Sequence, residues 1–436
     1  MPSHIVDLTA SDRDLLDQLQ ESTFRFFSER SNPENGLVPD NSRDGAASSI
    51  AATGMGLACL VVGAERGYIG RAEAAERVRT TLRFFHDSEQ SGAPDATGYR
   101  GFYYHFLGME TGRRAMECEL STIDTTFLLA GGLLAAQYFD RSDPVETDLR
   151  TLADTLNRRA DWPWATNEGT GVSHGWTPEE GFLKARWQGY NESLLLYVLA
   201  LGSPTFPIGP EHYDFWLETY RWKTLYGTDL LWGGPLFVHQ FSHAWIDFRG
   251  IQDAYMRDRG IDYFENSRRA TRVQQAYAVR NTRGRRGYGE HGWGITASDG
   301  PGPARHTVDG EAIDFYHYRA RSVPWGPDDG TLAPWSVATS LPFAPEIVLP
   351  TLHHLHENVP HCEGDYGFLA SFNPTFPNGS TPWVSSDYYG IDQGPVVLMI
   401  ENHRNELLWR LMRSCDVVLQ GLRQCGFTGG WLGEAG

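Results

Sequence analysis

Two kinds of helical segment alternate along this chain, and the alternation limits the possible fold more than any other feature. Segments 14–30, 71–88, 145–160, 211–222 and 261–279 carry charge on one side and apolar residues on the other. Such helices bury one stripe and show the other to water. Segments 48–64, 121–139, 191–202, 237–248 and 395–409 carry little charge on any side. A helix that is apolar all round is buried all round. Segment 333–346 is a weaker member of this second set, because Pro342 interrupts it. The order outer, inner, outer, inner gives about six pairs and predicts an all-α fold, an (α/α)6 toroid barrel of six inner helices ringed by six outer ones. Period-two strand patterning is weak throughout. A length of 436 residues permits two domains. No Pro-, Gly- or Ser-rich linker divides the chain, so residues 1–436 read as one domain.

In such a ring the inner helices run the same way and begin at a common mouth. The segments that precede them are unusual. They include "GYRGFYYHFLGMETGRR" before Glu119, "DWPWATNEGTGVSHGWTPEEGFLKARWQGYN" before Glu192 and "FNPTFPNGSTPWVSSDYYGIDQG" before Pro395. Long loops rich in Trp, Tyr, Gly, Asn and Asp thus gather on one rim, whereas the turns after inner helices, such as "FDRSDP", are short and plain. Aromatic faces pack on the C–H faces of pyranose rings while amides and carboxylates take the hydroxyls, so this rim suits a sugar-binding cleft. Candidate binding residues are Tyr103, Tyr104, Trp164, Trp176, Trp187, Tyr190, Asn191, Trp293, Asp387 and Asp392. The competing reading is that the loops fold over the rim and bury their own aromatics.

Glycosidic bond cleavage commonly uses two carboxyl groups flanking the bond, one protonated and one ionised. Glu119, Asp124 and Glu192 stand where apolar helices begin and are the catalytic candidates. The five-residue step from Glu119 to Asp124 is not a same-face spacing, which puts Glu119 on the preceding turn and Asp124 about one turn into the helix. For Glu192 a structural alternative is open, with Asn191 as N-cap and Glu192 favouring the helix dipole. In "HQFSHAWID", His239, His243 and Asp247 recur every fourth residue. The pattern is near HExxH, but Gln240 replaces the base, and the histidines are expected to be hydrogen-bonded groups lining the cavity with no metal bound.

Composition excludes several classes. The net charge is −18, which disfavours nucleic acid and anionic membranes as partners. The basic run "RNTRGRR" is short and reads as a solvated helix end. No apolar run is long enough to span a bilayer. Five scattered cysteines fit a reducing compartment. The N-terminal "MPSHIVDLTASDRDLLDQL" has neither the basic start nor the apolar core of an export signal, so a cytoplasmic protein is expected. There is no GxxxxGK[ST] phosphate loop and no GxSxG elbow. The acidic pair Asp328 and Asp329 is a poor match to the clusters of terpene cyclases.

The motifs "YRGFYYHFLGMETGRR", "CELSTIDTTFLLAGGLLAAQYF", "GYNESLLLYVLALGSPT", "FVHQFSHAWIDFRGIQDAY", "GWGITASDGP" and "GIDQGPVVLMIENHR" resemble, in order, the bacterial glycoamylase-like family. That family contains the β-1,2-glucanases of glycoside hydrolase family 144, and a related domain occurs in cyclic β-1,2-glucan synthases. The resemblance spans about residues 15 to 425. It implies an (α/α)6 barrel, no cofactor, an oligo- or polysaccharide substrate, and catalytic roles for Glu119 and Glu192 with Asp124 beside them. It implies hydrolysis of β-1,2-glucan to sophoro-oligosaccharides with inversion. The alternatives are a retaining transglycosylase and a non-catalytic glycan-binding protein. Members of the family are often secreted or periplasmic, from which the expected cytoplasmic location departs.

Overall fold

The computed structural model describes residues 8–433. The start of the segment read for an export signal, residues 1–7, lies outside the described residues. The chain is rich in helix. The helices are α1 (Ala10–Arg30), α2 (Ile50–Arg66), α3 (Arg71–Asp87), α4 (Thr122–Tyr138), α5 (Pro144–Arg159), the single turn α6 (Trp162–Ala165), α7 (Leu194–Leu201) and α8 (Pro210–Leu217). There follow α9 (Phe241–Trp245), α10 (Ala254–Arg259), α11 (Tyr263–Arg280), α12 (Pro334–Thr339), α13 (Pro345–Asn358), α14 (Gly390–Asn405), α15 (Leu407–Met412) and α16 (Asp416–Gln424).

Two of the apolar segments form their helices almost as read. In α4 every residue from Thr122 to Ala135 is buried, and in α2 every residue from Ile50 to Gly63. Each leucine so buried contributes about 1.5–3 kcal/mol. The two helices touch through their main chains. A Cβ on Gly54 would stand 2.3 Å from the Phe127 carbonyl oxygen, and one on Gly131 would stand 2.2 Å from that of Gly54. Only glycine at both positions permits this approach. Packing then proceeds from α2 to α4, α4 to α7 and α7 to α9. The Gln240 amide donates to Ser336 O (2.7 Å) and Ser340 Oγ (2.8 Å), tying the α9 segment to α12. Helix α12 packs on α14, and α14 returns to α2. Outside these lie α1 on α14 and α2, α3 on α2 and α5, α5 on α4, α13 on α12 and α16 on α7. One apolar core runs from Leu15 to Leu432.

Several expected helices are shorter. Segment 237–248 is a 3-10 turn, Leu236–His239, followed by five residues of α-helix, because Gln240 (φ −120°, ψ −48°) breaks the run. Segment 333–346 stops at Thr339, ahead of Pro342, and α13 restarts with Pro345 in its first turn, where a proline is tolerated. Segment 211–222 ends at Leu217, and α16, from the far end of the chain, covers α7 in its place. Helix α14 begins five residues before Pro395, which sits inside it.

The all-helical expectation also missed a set of short antiparallel ribbons. Strands Gly98–Tyr99, Phe102–Tyr104, Leu120–Ser121, Gly175–Thr177 and Gly181–Phe182 form one sheet in that order. Ser121 pairs with Tyr103 and Gly175, then caps α4 directly. Ser48–Ser49 pairs with Phe106–Leu107 and runs into α2 in the same way. These ribbons hold the lead-in to α2 and α4 in fixed register. No helix among the described residues is long and apolar enough to cross a membrane.

Candidate active site

Where these helices begin, a cavity of about 550 Å³ opens. Its apolar wall is made by Phe106, Phe127, Phe237, Phe241, Trp335, Tyr318 and Tyr389. Four carboxyl groups face it: Asp40, Asp124, Glu192 and Asp392.

Asp124 and Glu192 come from adjacent helices. The Asp124 N–H donates to Ser121 Oγ (3.2 Å), and the Ser121 hydroxyl donates back to Asp124 Oδ2. Asp124 is therefore part of the α4 cap and also a cavity residue, since one carboxylate oxygen is left free of the cap. Glu192 does not cap α7. The Asn191 side chain accepts from the Ser193 N–H (3.0 Å) and hydroxyl, and this turn delays the helix to Leu194. Glu192 is left on the turn, its carbonyl accepting from the Ser242 hydroxyl (2.9 Å) and its half-buried carboxyl turned to the cavity. Burial, with the charge of Asp124 added, pushes its pKa up to about 7.

His105 links the acids. Its Nδ1 lies 3.0 Å from Glu119 Oε1 and its Nε2 3.8 Å from Asp124 Oδ1, and its ring stacks on Phe106 at 4.0 Å. Burial alone would lower the pKa of the imidazole. Asp124, Glu119 and Asp40 outweigh burial and raise it to about 9. Burial opposes ionisation of Glu119 too, but the His105 hydrogen bond and charge hold its pKa below the usual carboxylate range. Glu119 thus sits behind His105 and does not line the cavity.

Asp392, in the first turn of α14, is buried, and neither of its carboxyl oxygens has a partner. Burial, with the charges of Asp40 and Asp299, drives its proton affinity well upward. Asp40 is shifted the same way by burial, against a hydrogen bond from Asn41. Asp387 is one step removed from the cavity: it accepts from Arg43 Nε (2.8 Å), and Arg43 lines the wall.

The remaining candidates pack elsewhere. The Tyr103 hydroxyl donates to Phe85 O (3.0 Å) inside the core, and Tyr104 is buried beneath the Arg114 guanidinium. Trp164 and Trp176 are half-buried against each other, Tyr99 and Phe182, and neither lines the cavity. Trp187 stacks on His174 and donates to Thr122 Oγ1 (2.9 Å). Tyr190 stacks on Tyr263, and Trp293 donates to Thr351 Oγ1 (3.0 Å). For these residues the rim loops do bury their own aromatics. His239 and His243 are buried and hydrogen-bonded as expected, but outside the cavity wall. His239 Nε2 accepts from the Gly233 N–H (3.3 Å), and His243 Nε2 lies 2.9 Å from Ser267 Oγ. Asp247 is held by Arg249 and Arg413, so the three never converge. Among the described residues no group of three or more His, Cys, Asp or Glu is arranged to hold a metal ion. The basic run is only partly solvated, since buried Arg285 pairs with Glu311 (3.1 Å).

Residues 184–416 match the family model for Glycoamylase, described as "Putative glucoamylase". A Bacteroides uniformis structure under the same description is 32% identical with a TM-score of 0.86, covering 98% of this chain and 100% of that one. The chain belongs to the Glycoamylase family. Within and around that family, the Chitinophaga pinensis endo-β-1,2-glucanase, solved with sophorotriose and glucose, is 28% identical at a TM-score of 0.85 over 97% of this chain and all of that one. The Parabacteroides distasonis exo-β-1,2-glucooligosaccharide sophorohydrolase (non-reducing end) is 30% identical over 452 residues, which take in 95% of this chain. The chain spans 58% of that relative's length.

Sequence reasoning missed Asp40, Arg43 and His105. The loop rule that singled out the other rim segments applies equally to "NGLVPDNSRDGAASS" before α2, and would have found the first two.

Proposed function

We propose that this chain is a glycoside hydrolase that cleaves β-1,2-linked glucan, and that its helices form an (α/α)6 toroid with one catalytic cavity at the shared mouth. The packing order α2, α4, α7, α9, α12, α14 and back to α2 supports the ring. The observation that carries the reading is a pair of carboxyl groups, Glu192 and Asp392, from different helices facing one cavity. Glu192 stands just before α7 and Asp392 in the first turn of α14, three places apart in that packing order, and aromatic side chains line the same cavity. Glu192, with its pKa near 7, keeps its proton at mildly acidic pH and is the general acid for the leaving oxygen. Asp392 has no protein partner and is the base that activates water, directly or through a substrate hydroxyl. In the empty cavity burial keeps its proton affinity high; water and substrate hydroxyls donating to its two unpartnered oxygens favour the ionised form that the base role requires. Asp124 holds charge beside Glu192, and His105 with Glu119 fixes Asp124. Inversion is the outcome we propose, and it requires that acid and base stand far enough apart to admit a water between them.

The substrate class follows the named relatives. The test is incubation of the purified protein with linear β-1,2-glucan, with products resolved by anomer-sensitive NMR. Sophoro-oligosaccharides released first as the α-anomer are expected. First release of the β-anomer, with products longer than the donor, indicates a retaining transglycosylase. No product anywhere between about pH 4 and about pH 8, a range that takes in both the protonated and the ionised form of a carboxyl near 7, rejects this substrate.

A further inference from the structure

Trp325 is 60% exposed, although Trp is a residue that folded chains cover. It does not sit on a loose loop. The segment around it is pinned by Arg321 and Asp329, a fully buried ion pair (2.7 Å) in which Arg321 also donates to Ser298 O (2.8 Å). The turn itself closes through Gly326 N–H to Ser322 O (3.1 Å), and a Cβ at Gly326 would strike Ser322 Oγ. The indole is braced from behind. Trp232 meets it edge-on with centroids 5.4 Å apart, and the Trp232 indole N–H donates to Val323 O (3.0 Å). Lys223 extends over the Trp325 ring, its Nζ 5.8 Å from the centroid.

Both strands of chain that form this platform lead into the cavity. Tyr318, seven residues before Trp325, lines the cavity, packs against Tyr389 and is 46% exposed. Phe237, five residues after Trp232, lines it too. Between them Ala297, another wall residue, pairs with Ala320 of the Trp325 segment. The segment that carries the exposed, rigidly mounted indole thus also carries Tyr318 of the cavity wall, and the segment that carries its brace Trp232 also carries Phe237. An indole face takes the C–H side of a pyranose, and the Lys223 ammonium is placed to reach ring hydroxyls.

We propose that Trp325, braced by Trp232, is an outlying sugar subsite that holds a glucosyl unit of the substrate chain beyond those inside the cavity. This rests on the glucan-cleaving reading above. One stacked ring contributes about 0.5–1.5 kcal/mol, so its loss raises KM about 2- to 10-fold. The test measures kcat and KM of wild type, Trp325→Ala and Trp325→Phe on β-1,2-gluco-oligosaccharides of increasing length. The expected result is a KM defect in Trp325→Ala that grows with chain length, at a steady kcat, and is largely restored by Trp325→Phe. A defect equal at every length, or none at any length, overturns the subsite. Affinity electrophoresis through a gel containing β-1,2-glucan tests it without catalysis. Retardation of wild type that is lost in Trp325→Ala supports the subsite even if no cleavage is seen, and equal mobility of the two overturns it.

Discussion

Two histidine environments in this protein have moved in opposite directions. At the cavity mouth His105 stands between Glu119 and Asp124, and its pKa rises to about 9. In the core between α9 and α11, His239 and His243 meet a backbone N–H and a serine hydroxyl, and their pKa values fall to about 4 and about 3. His239 and His243 are buried, and the His105 side chain is half-buried, with 31% of its surface exposed. What differs is whether carboxylates face the ring. Burial without an opposing charge makes a neutral packing residue, whereas partial burial among acids makes a cation, and only the second environment faces the cavity.

The largest expected effect lies on the cavity side. Glu192→Gln and Asp392→Asn should each reduce kcat by about 10²–10⁴-fold, the contribution of a positioned acid or base, with circular dichroism unchanged. A Glu192 variant with wild-type turnover would remove the catalytic meaning of the comparison. Wild-type activity should fall as pH rises through about 7, where Glu192 loses its proton. The same carboxyl affects stability. Its pKa rises from 4.5 to about 7 on folding, so the folded state binds the proton more tightly, and stability present below 4.5 is lost as pH rises through about 7. Glu192→Gln should therefore raise the thermal midpoint at pH 8 and not at pH 4, by about 1 °C per kcal/mol of relieved charge burial.

The histidines themselves give smaller effects of opposite sign. His105 gains proton affinity on folding, so its contribution is complete below 6.5 and is lost as pH rises through about 9. His105→Gln should flatten the alkaline limb of thermal stability and lower kcat. His239 and His243 lose proton affinity, so their contribution is complete above 6.5 and is lost as pH falls through about 4 and about 3. His243→Ala should cost about 1–3 kcal/mol in denaturant titration by leaving the Ser267 hydroxyl without its partner, with specific activity of the folded enzyme retained. The smallest change is expected from Tyr103→Phe, which removes one hydrogen bond to Phe85 O, worth about 1 kcal/mol, and leaves KM where it was.

The sequence carried α2, α4 and α7 well, because each is apolar on every side and buried on every side. It carried the ribbons poorly. Strands such as Leu120–Ser121 are two residues long and have no period to detect. In the site, Asp124, Glu192 and Asp392 were legible from their position at the heads of apolar segments. His105 was not, since its partners lie 14 and 19 residues along the chain and meet it only through the sheet that pairs Tyr103 with Ser121. The aromatic residues misled for a related reason. Trp164 and Trp176 belong to rim loops, as read, but a large ring on a loop finds another ring as readily as it finds a ligand.

The contact of main chain on main chain at Gly54 and Gly131 limits how this enzyme can change. No side chain lies between the two helices there, so trimming residues cannot widen the gap, and any enlargement clashes with a carbonyl. The spacing of α2 and α4 is set by the polypeptide backbone itself. Selection for a cavity of another shape should accordingly leave these two helices alone and rewrite the ribbons and loops at the helix heads, in residues 98–121 and 316–330.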